Sequence, residues 1–447
     1  MSGSGLLHRS VTGHARLLRR RVAAVVALAS AAAVVALAVV MTVKDFPRGL
    51  LLLGCAALMA AGAWEGVLRR GWGRAAGVLV AVLALAGAVY GLADDGYLRV
   101  LALLAIGAVS WHLAARIAFR PHADLPPAER PRRPVVVINP RSGDGRAARV
   151  GLAAAARERG IEPVELRPGD DLATVVRERI EAGADAVAMA GGDGSQAVAA
   201  AVVAEADLPY ACIPVGTRNH FALDLGVDRT DATGALDAFV DGTELVADLG
   251  EVNGRVFVNN VSLGVYAEAV QQDGYRASKL RTVLGTVPIS LGAAGGSQDL
   301  RWVTPGGRTL QGAAVILVAN NQYRLSGAAG AGTRPAVDRG VLGITVVDPP
   351  NRHESERRRP VRQWTAPEFS VGSAHPVPAG VDGEATLLEA PVEFRIRPGA
   401  LRVRISARHP GASPSAIEPV GALPALRALA HIAAGRDARS IFREAKE

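Results

Sequence analysis

Four long apolar runs open the chain, at residues 22–43, 49–68, 75–93 and 97–119. Each run is about 19 to 23 residues long, which at 1.5 Å rise per residue is enough to cross a hydrocarbon core about 30 Å thick. A cleaved signal peptide has a shorter apolar region and is not followed by three more runs. The pattern therefore predicts four transmembrane helices within residues 22–120, after a basic N-terminal segment, residues 1–21.

Arginine is concentrated in three of the segments that flank these runs. It clusters before the first run, between the second and third, and after the fourth, at Arg19–Arg21, Arg69–Arg74 and Arg116–Arg133. Cytoplasmic loops carry such an excess of Lys and Arg. We therefore expect an integral protein of the cytoplasmic membrane with both termini in the cytoplasm.

A second pattern begins after a Pro-rich, charged linker at residues 121–133. Short buried strands at 134–140, 161–167, 185–190 and 208–215 alternate with helical segments at 146–160, 170–183 and 195–206. Repeated strand–helix units form a parallel sheet covered by helices on both faces, and ligands bind beyond the carboxyl ends of its strands. Residues 134–247 are predicted to form this α/β domain.

The texture changes after residue 248 to short alternating runs separated by turn residues. This pattern is typical of a β-sandwich or barrel, and we assign residues 248–406 to a second, all-β domain. Residues 407–447 form a tail whose helix at 422–435 is expected to pack on the α/β domain. The predicted fold class is α/β plus β, behind a four-helix membrane region.

Composition supports a protein that is part membrane-embedded and part globular. Hydrophobic residues make up 49% and the mean hydropathy is +0.21, yet 21% of residues are charged. The net charge of +8 suits nucleic acid or an anionic membrane, but aromatic residues reach only 4%, which is sparse for base stacking. We therefore expect a membrane partner and no nucleic acid. Cys55 and Cys212 fall in different predicted regions, so no disulfide is expected.

Four polar turns lie where a ligand site would form. The first three follow strands of the α/β domain and combine free backbone amides with hydroxyl, amide and guanidinium groups, which suit phosphate, while Asp193 could hold Mg²⁺ through water. The fourth turn carries two carboxylates. Taken singly, each is also typical of an ordinary turn, cap or hairpin. The candidate residues are Asn139, Arg141, Ser142 and Gly143; Gly191, Gly192, Asp193, Gly194 and Ser195; Thr217, Arg218 and Asn219; and Asp382 and Glu384.

Together, NPRSG, GGDGS, GTRN and DGE in this order resemble the catalytic family of diacylglycerol kinases, which includes sphingosine and ceramide kinases. The resemblance covers residues 134–406 and implies a two-domain lipid kinase, with ATP on the glycine turn and a lipid hydroxyl phosphorylated between the domains. It implies Glu384 as the general base, with Asp382 beside it. Residues 319–347 resemble the segment that binds a structural Mg²⁺ in this family, with Asp338 as the matching carboxylate.

The chain departs from the family at two positions. His220 and Tyr266 stand where the family usually has Asp, so the role of both residues is left open. Besides an ATP- and Mg²⁺-dependent lipid kinase, we retain a catalytically inactive nucleotide or lipid sensor and an enzyme similar to NAD kinase that acts on a soluble substrate. The acceptor lipid and the oligomeric state, including a homo-oligomer, also stay open.

Overall fold

The computed structural model describes residues 4–44, 54–55, 58, 79–80, 82–84, 97–119, 125–264, 299–313, 315–325, 332–347, 361–416 and 422–435. The chain divides into two compact units. The helical unit comprises Met1–Arg120 and Pro419–Glu447, and the unit Pro121–Glu418 contains the sheets.

The elements follow one another in an order that changes from helical to mixed to mainly β. The helices are α1 (Ser4–Lys44), α2 (Tyr97–Ala118), α3 (Arg146–Arg149), α4 (Leu152–Glu158), α5 (Leu172–Glu181), α6 (Asp193–Glu205), α7 (His220–Asp224), α8 (Ala232–Ala235) and α9 (Ala422–Ala433). The strands are β1 (Pro134–Ile138), β2 (Glu162–Glu165), β3 (Ala186–Gly191), β4 (Tyr210–Pro214), β5 (Thr243–Val252), β6 (Arg255–Phe257), β7 (Asn260–Gly264), β8 (Arg301–Val303), β9 (Thr309–Gln311), β10 (Val315–Asn320), β11 (Leu342–Val347), β12 (Val361–Ala366), β13 (Glu368–Gly372), β14 (Val377–Val381), β15 (Glu384–Leu388) and β16 (Val392–Ile405).

Within the described residues one helix, not four, is long and apolar enough to cross a membrane. It is the 24-residue segment Leu18–Met41 of α1, which contains an 18-residue stretch with a mean hydropathy of 2.7. The fourth predicted run is a helix, α2, but its apolar part, Ala102–Ala115, is shorter than a span. The runs at 49–68 and 75–93 lie almost wholly outside the described residues.

Arginines at the start of the apolar part of α1 bind the ends of two other helices. Arg20 Nε donates to the carbonyl of Ala118 at the end of α2 (3.1 Å), and Arg21 Nε donates to the carbonyl of Ala433 at the end of α9 (3.4 Å). Cations are favourable at helix carboxyl ends, where carbonyl groups lack intrahelical partners. The C-terminal helix thus packs on α1 in the helical unit, not on the α/β part as expected.

The sheet-containing unit is built on the predicted parallel sheet. Strands β2, β1, β3 and β4 pair side by side in parallel. Every residue of β1, β3 and β4 is buried, which explains their unbroken apolar runs. The helix predicted over 146–160 is instead two short helices, because Gly151 between them adopts a left-handed conformation (φ +62°).

Strand β16 extends this sheet into the second part of the unit. It pairs in parallel with β4 at Val403 and Arg404 and antiparallel with β5 and β13, and the sheet continues through β8 and β9. The alternating runs at 392–399 and 400–406 are thus one strand with an irregularity between Arg397 and Leu401. The predicted domain boundary at 247/248 falls inside β5, and the division there stays a prediction.

A second sheet, in the order β12-β11-β10-β7-β14-β15, is wholly antiparallel. Side chains of the two sheets share one apolar core, to which Trp302, Val371 and Phe394 belong on one side and Ile316 and Ile344 on the other. This sandwich packing matches the alternating pattern of the sequence.

The described part of the predicted linker is bound to the same unit. Pro127 pairs with Thr243, and Ala128 N–H donates to the carbonyl of Gly242 (3.0 Å). The N–H groups of Arg132 and Arg133 donate to the carboxylate of Asp185 at 2.7 and 2.9 Å. Residues 125–133 are therefore an ordered edge of the unit.

Candidate active site

The glycine turn Gly191–Ser195 joins the end of β3 to the start of α6. Gly192 is the N-cap residue of α6 and makes no side-chain cap hydrogen bond to this helix. A Cβ atom on Gly216 would lie 2.6 Å from Gly192 Cα, so the backbones of the second and third turns are in contact. The N–H groups of the first helical turn lack intrahelical acceptors and favour an anion such as phosphate.

The first predicted turn is hydrogen-bonded to the glycine turn. Ser142 Oγ accepts a hydrogen bond from Gly192 N–H (3.3 Å), and Asn139 Nδ2 donates to Ser195 Oγ (3.2 Å). Gly143 is left-handed (φ +57°), and a Cβ atom there would lie 2.1 Å from the carbonyl oxygen of Val215. The exposed Arg141 follows Asn139, whose Oδ1 accepts from the Arg141 N–H (3.1 Å).

Asp193 binds the third turn with both carboxylate oxygens. Its Oδ2 accepts from His220 N–H (3.0 Å) and its Oδ1 from Phe221 N–H (3.1 Å), which fixes the start of α7. The buried Asn219 is left-handed, and its Nδ2 donates to the carbonyl of Gly216 (2.7 Å). Asp193 therefore positions the third turn, a role that the sequence analysis did not foresee.

The other two predicted residues of the third turn, Thr217 and Arg218, are at least partly exposed to solvent. Thr217 is exposed, and Arg218 is half-buried, with its carbonyl bound by Arg229 Nη1 at 2.9 Å. The third turn thus presents a hydroxyl and a guanidinium group beside the glycine turn.

The fourth turn connects β14 and β15, and its first carboxylate binds the main chain of another segment. Asp382 accepts hydrogen bonds from the N–H groups of Val258 (2.9 Å), Asn259 (2.8 Å) and Asn260 (3.1 Å). Burial raises the pKa of Asp382 to about 7, and the charge of Asp193 acts in the same direction, whereas the three N–H donors oppose the shift. Asp382 thus links the turn between β14 and β15 to the segment 258–260.

Glu384 brings the fourth turn to the glycine turn. A Cβ atom placed on Gly194 would lie 2.1 Å from Glu384 Oε1, so the carboxylate lies directly against the first turn of α6. Glu384 Oε2 accepts from Arg255 Nη2 at 3.0 Å. Residues that are 190 positions apart in the sequence are therefore in contact at the end of a parallel strand.

Sequence reasoning missed a buried ion pair behind this cluster. Arg334 is fully buried, and its Nε donates to Asp224 Oδ2 at 2.7 Å. Its other nitrogens donate to the carbonyls of Val258 (2.6 Å) and Asn320 (2.7 Å) and to Asn259 Oδ1 (3.0 Å). Burial raises the pKa of Asp224, although the charge of Arg334 opposes the shift. No motif marks either residue, so the sequence carried no signal for this pair.

Asp338 is the carboxylate that the family resemblance suggests for a structural Mg²⁺. Asp338 is exposed, and the described residues contain no group of three or more His, Cys, Asp or Glu side chains suited to a metal. The buried carboxylate nearby is Asp248, which accepts from Asn321 Nδ2 (3.0 Å), Gly340 N–H (2.6 Å) and Gly399 N–H (2.8 Å). The Asp248 carboxylate is therefore bound by three N–H donors. A structural Mg²⁺ at Asp338 stays a prediction.

The structure describes one of the two positions at which the chain departs from the family pattern. His220 is half-buried at the start of α7, where its N–H binds Asp193. Tyr266 lies outside the described residues, so the structure does not address its role.

Comparison with known proteins finds relatives of part of the chain. Residues 133–252 match the sequence model of the diacylglycerol kinase catalytic domain. The chain is 37% identical over 120 residues to a diacylglycerol kinase of Mycobacterium tuberculosis, which is 26% of this chain and 39% of that protein. It is 27% identical over 306 residues to a probable lipid kinase YegS-like protein of Pseudomonas aeruginosa, covering 62% of this chain and 95% of that protein.

A crystal structure of a diacylglycerol kinase from Bacillus anthracis superposes with a TM-score of 0.45 and 17% identity over 62% of this chain and 98% of that one. The matched segment of the Mycobacterium enzyme is about two fifths of its length. Residues 133–252 of this chain are thus similar to the catalytic domain of diacylglycerol kinases.

Proposed function

We propose that the protein is a membrane-anchored lipid kinase that transfers the γ-phosphoryl group of ATP, with Mg²⁺, to a hydroxyl group of diacylglycerol or a related lipid. The observation that carries the proposal is the contact between Glu384 and Gly194. It joins a candidate general base to a helix N-terminus suited to phosphate, in a chain whose relatives include diacylglycerol kinases.

The residues present fit a nucleoside triphosphate. The first turn of α6 offers N–H donors, and Asn139 and Ser142 keep the neighbouring loop against it. Arg141 and Arg218 would pair with phosphate oxygens, as guanidinium groups do. Mg²⁺ supplies charge neutralisation on the β- and γ-phosphates in such reactions and is commonly held by one or two carboxylates and the nucleotide itself.

Glu384 would take the proton of the acceptor hydroxyl. As the new bond forms between the lipid oxygen and the γ-phosphorus, the bond from the γ-phosphorus to the bridging oxygen breaks and ADP leaves. The Arg141 and Arg218 guanidinium groups would stabilise the charge on the transferred group. Phosphoryl transfer depends mainly on such positioning and charge stabilisation.

The proposed anchor is α1, whose segment Leu18–Met41 meets the length and apolarity of a span. We extend the proposal to the apolar runs at 49–68 and 75–93 as further spans, and to α2 as a fourth, since the whole helix has 22 residues although its apolar stretch Ala102–Ala115 is shorter. Both termini would then be cytoplasmic; the sequence pattern and the flanking arginines support it. A lipid acceptor would then be reached at the cytoplasmic leaflet.

The test is transfer of label to lipid. We would incubate detergent-purified full-length protein with labelled ATP, Mg²⁺ and a total lipid extract supplemented with diacylglycerol, beside the Glu384→Gln variant. Labelled lipid from the wild type alone would support the proposal and identify the acceptor among diacylglycerol, a sphingoid base, a polyprenol and a glycerophospholipid. ATP binding without any labelled lipid would contradict it.

A catalytically inactive sensor is the second candidate, and one observation favours it. Both oxygens of Asp193 are engaged by the N–H groups of His220 and Phe221, which leaves this carboxylate less available to a metal ion. Measurable ATP affinity that is unchanged by Mg²⁺, together with no turnover, would support the sensor.

A further inference from the structure

Glu384 has a charged partner that no motif marks. Arg255 Nη2 donates to Glu384 Oε2 at 3.0 Å, and the two side chains are 43% and 59% exposed. Ion pairs between side chains this exposed add little to stability, because solvent screens them. The surroundings of the pair instead bear on the orientation of the Glu384 carboxylate.

The two oxygens of the Glu384 carboxylate have different surroundings. Oε2 is bound by Arg255, whereas Oε1 is the atom nearest to Gly194 in the first turn of α6. Only one orientation of the carboxylate satisfies both contacts. The oxygen that faces the phosphate-binding turn, Oε1, is therefore the one that accepts no hydrogen bond from Arg255.

The backbone that carries Arg255 is anchored on its N-terminal side. Arg255 opposes Val252 in the β5–β6 hairpin, whose turn contains the left-handed Asn253. Asn253 Nδ2 donates to the carbonyl of Glu389 (2.8 Å), and its Oδ1 accepts from the N–H of Glu393 (2.7 Å). These bonds hold the hairpin tip against the loop between β15 and β16.

The same backbone is anchored on its C-terminal side by the turn that carries Glu384. Asp382, two residues before Glu384, accepts from the N–H groups of Val258, Asn259 and Asn260, which directly follow β6. The distance between the main chains of Arg255 and Glu384 is therefore determined by hydrogen bonds on both sides, independently of the ion pair.

We propose that Arg255 is a positioning residue for Glu384, which rests on the proposed kinase function. By binding Oε2, Arg255 orients the carboxylate so that Oε1 takes the proton of the acceptor hydroxyl. The hydroxyl oxygen then forms its bond to the γ-phosphorus as the bond to the bridging oxygen breaks and ADP leaves. Arg255 itself neither gains nor loses a proton.

The experiment compares full-length Arg255→Gln, Arg255→Lys, Glu384→Gln and the double variant Arg255→Gln/Glu384→Gln, in detergent, with the acceptor lipid identified from the wild type. Because misplacing a catalytic group by about 1 Å can cost about 100-fold, we expect Arg255→Gln to lower kcat by about 10- to 100-fold, with KM for ATP nearly unchanged. Arg255→Lys should recover part of kcat, since an ammonium group also donates to Oε2.

The double variant separates positioning from an independent role. If Arg255 acts through Glu384, adding Arg255→Gln to Glu384→Gln should lower kcat no further. Arg301→Gln is the matched control, because Arg301 also lies on a strand in an exposed ion pair, with Asp299 at 3.0 Å, away from this cluster. It should keep wild-type kinetics.

The possible results distinguish a failure of the positioning role from a failure of the proposed kinase function. Full kcat in Arg255→Gln, or a further loss in the double variant, would overturn the positioning role while leaving the kinase intact. No lipid phosphorylation by the wild type, or full activity in Glu384→Gln, would overturn the proposed function and the positioning role with it.

Discussion

Two ionisable residues, the fully buried Arg334 and the half-buried Asp382, bind main-chain groups around the site. Arg334 connects Asp224 at the end of α7 to the carbonyls of Val258 and Asn320, and Asp382 binds the N–H groups of residues 258–260. Residues 258–260 are thus held through their N–H groups by Asp382 and through the Val258 carbonyl by Arg334. At the residue scale, the loops of the site depend on ionisable side chains that bind the main chain.

Replacing Arg334 should destabilise the protein strongly. Arg334→Met leaves Asp224 buried without its partner, and removing one member of a buried ion pair costs about 3–5 kcal/mol. Denaturant unfolding of the full-length variant in detergent measures this loss. Arg301→Gln, in an exposed pair, should cost less than about 1 kcal/mol. Equal losses in the two variants would contradict this expectation.

Asp382 should make stability depend on pH. Its pKa is about 7 in the folded protein and near 3.8 otherwise, so between these values the folded state binds more protons than the unfolded state. The stability of the wild type relative to Asp382→Asn should therefore fall as pH rises from about 4 to about 7 and stay constant above. Thermal unfolding of both proteins across this range measures it, and parallel curves would refute the assignment.

At the element scale, the site lies where the glycine turn enters α6 and two other loops meet it. Gly192 contacts Gly216, and Gly194 contacts the side chain of Glu384, so the helix N-terminus is approached from two sides. A turn without side chains permits these approaches. The glycines are needed for contacts between elements, not for the strand or helix on either side.

Gly194→Ala should lower activity without unfolding the protein. The added Cβ would lie 2.1 Å from Glu384 Oε1, and the exposed Glu384 side chain can move away, which displaces the proposed base. We expect kcat to fall by about 10- to 100-fold, measured by lipid phosphorylation. Gly306→Ala is the control, since nothing lies within 4 Å of a Cβ atom there. An unchanged kcat in Gly194→Ala would contradict the expected displacement of Glu384.

At the scale of the whole molecule, the chain contains the sheet unit as an insertion in the helical unit. The helical unit is formed by residues at both ends of the chain, with α9 packed on α1. Ala428, Leu429 and Ile432 on α9 are buried, whereas Leu423 and Leu426 are exposed. The segment Leu18–Met41 is mostly exposed as well, which suits an apolar surrounding.

We expect the protein to stay in membranes under alkaline washing. A largely apolar span, Leu18–Met41, is retained by the hydrophobic effect and not by charge, so carbonate at high pH should not release the protein. Sedimentation of washed membranes followed by immunodetection measures this. A peripheral protein bound through the arginines alone would appear in the supernatant, and that result would contradict the proposed anchor.

Local patterns in the sequence determined the elements of the α/β part. Buried strands such as β1 and β3 read as apolar runs, and Asp171 caps α5, because burial and capping act over a few neighbouring residues. The order of the four turns was likewise sufficient to suggest the kinase family. The break at Gly151 was not visible, since an isolated glycine also occurs within helices.

Only the tertiary structure decided how distant groups meet. Strand β16 joins the parallel sheet to the sandwich, Glu384 reaches Gly194, and Arg255 and Arg334 bind carboxylates far away in the chain. Such contacts depend on strand order and register, which short-range periodicity does not encode. The sequence therefore determined which chemical groups the site contains, and the packing of the sheets determined which of them touch.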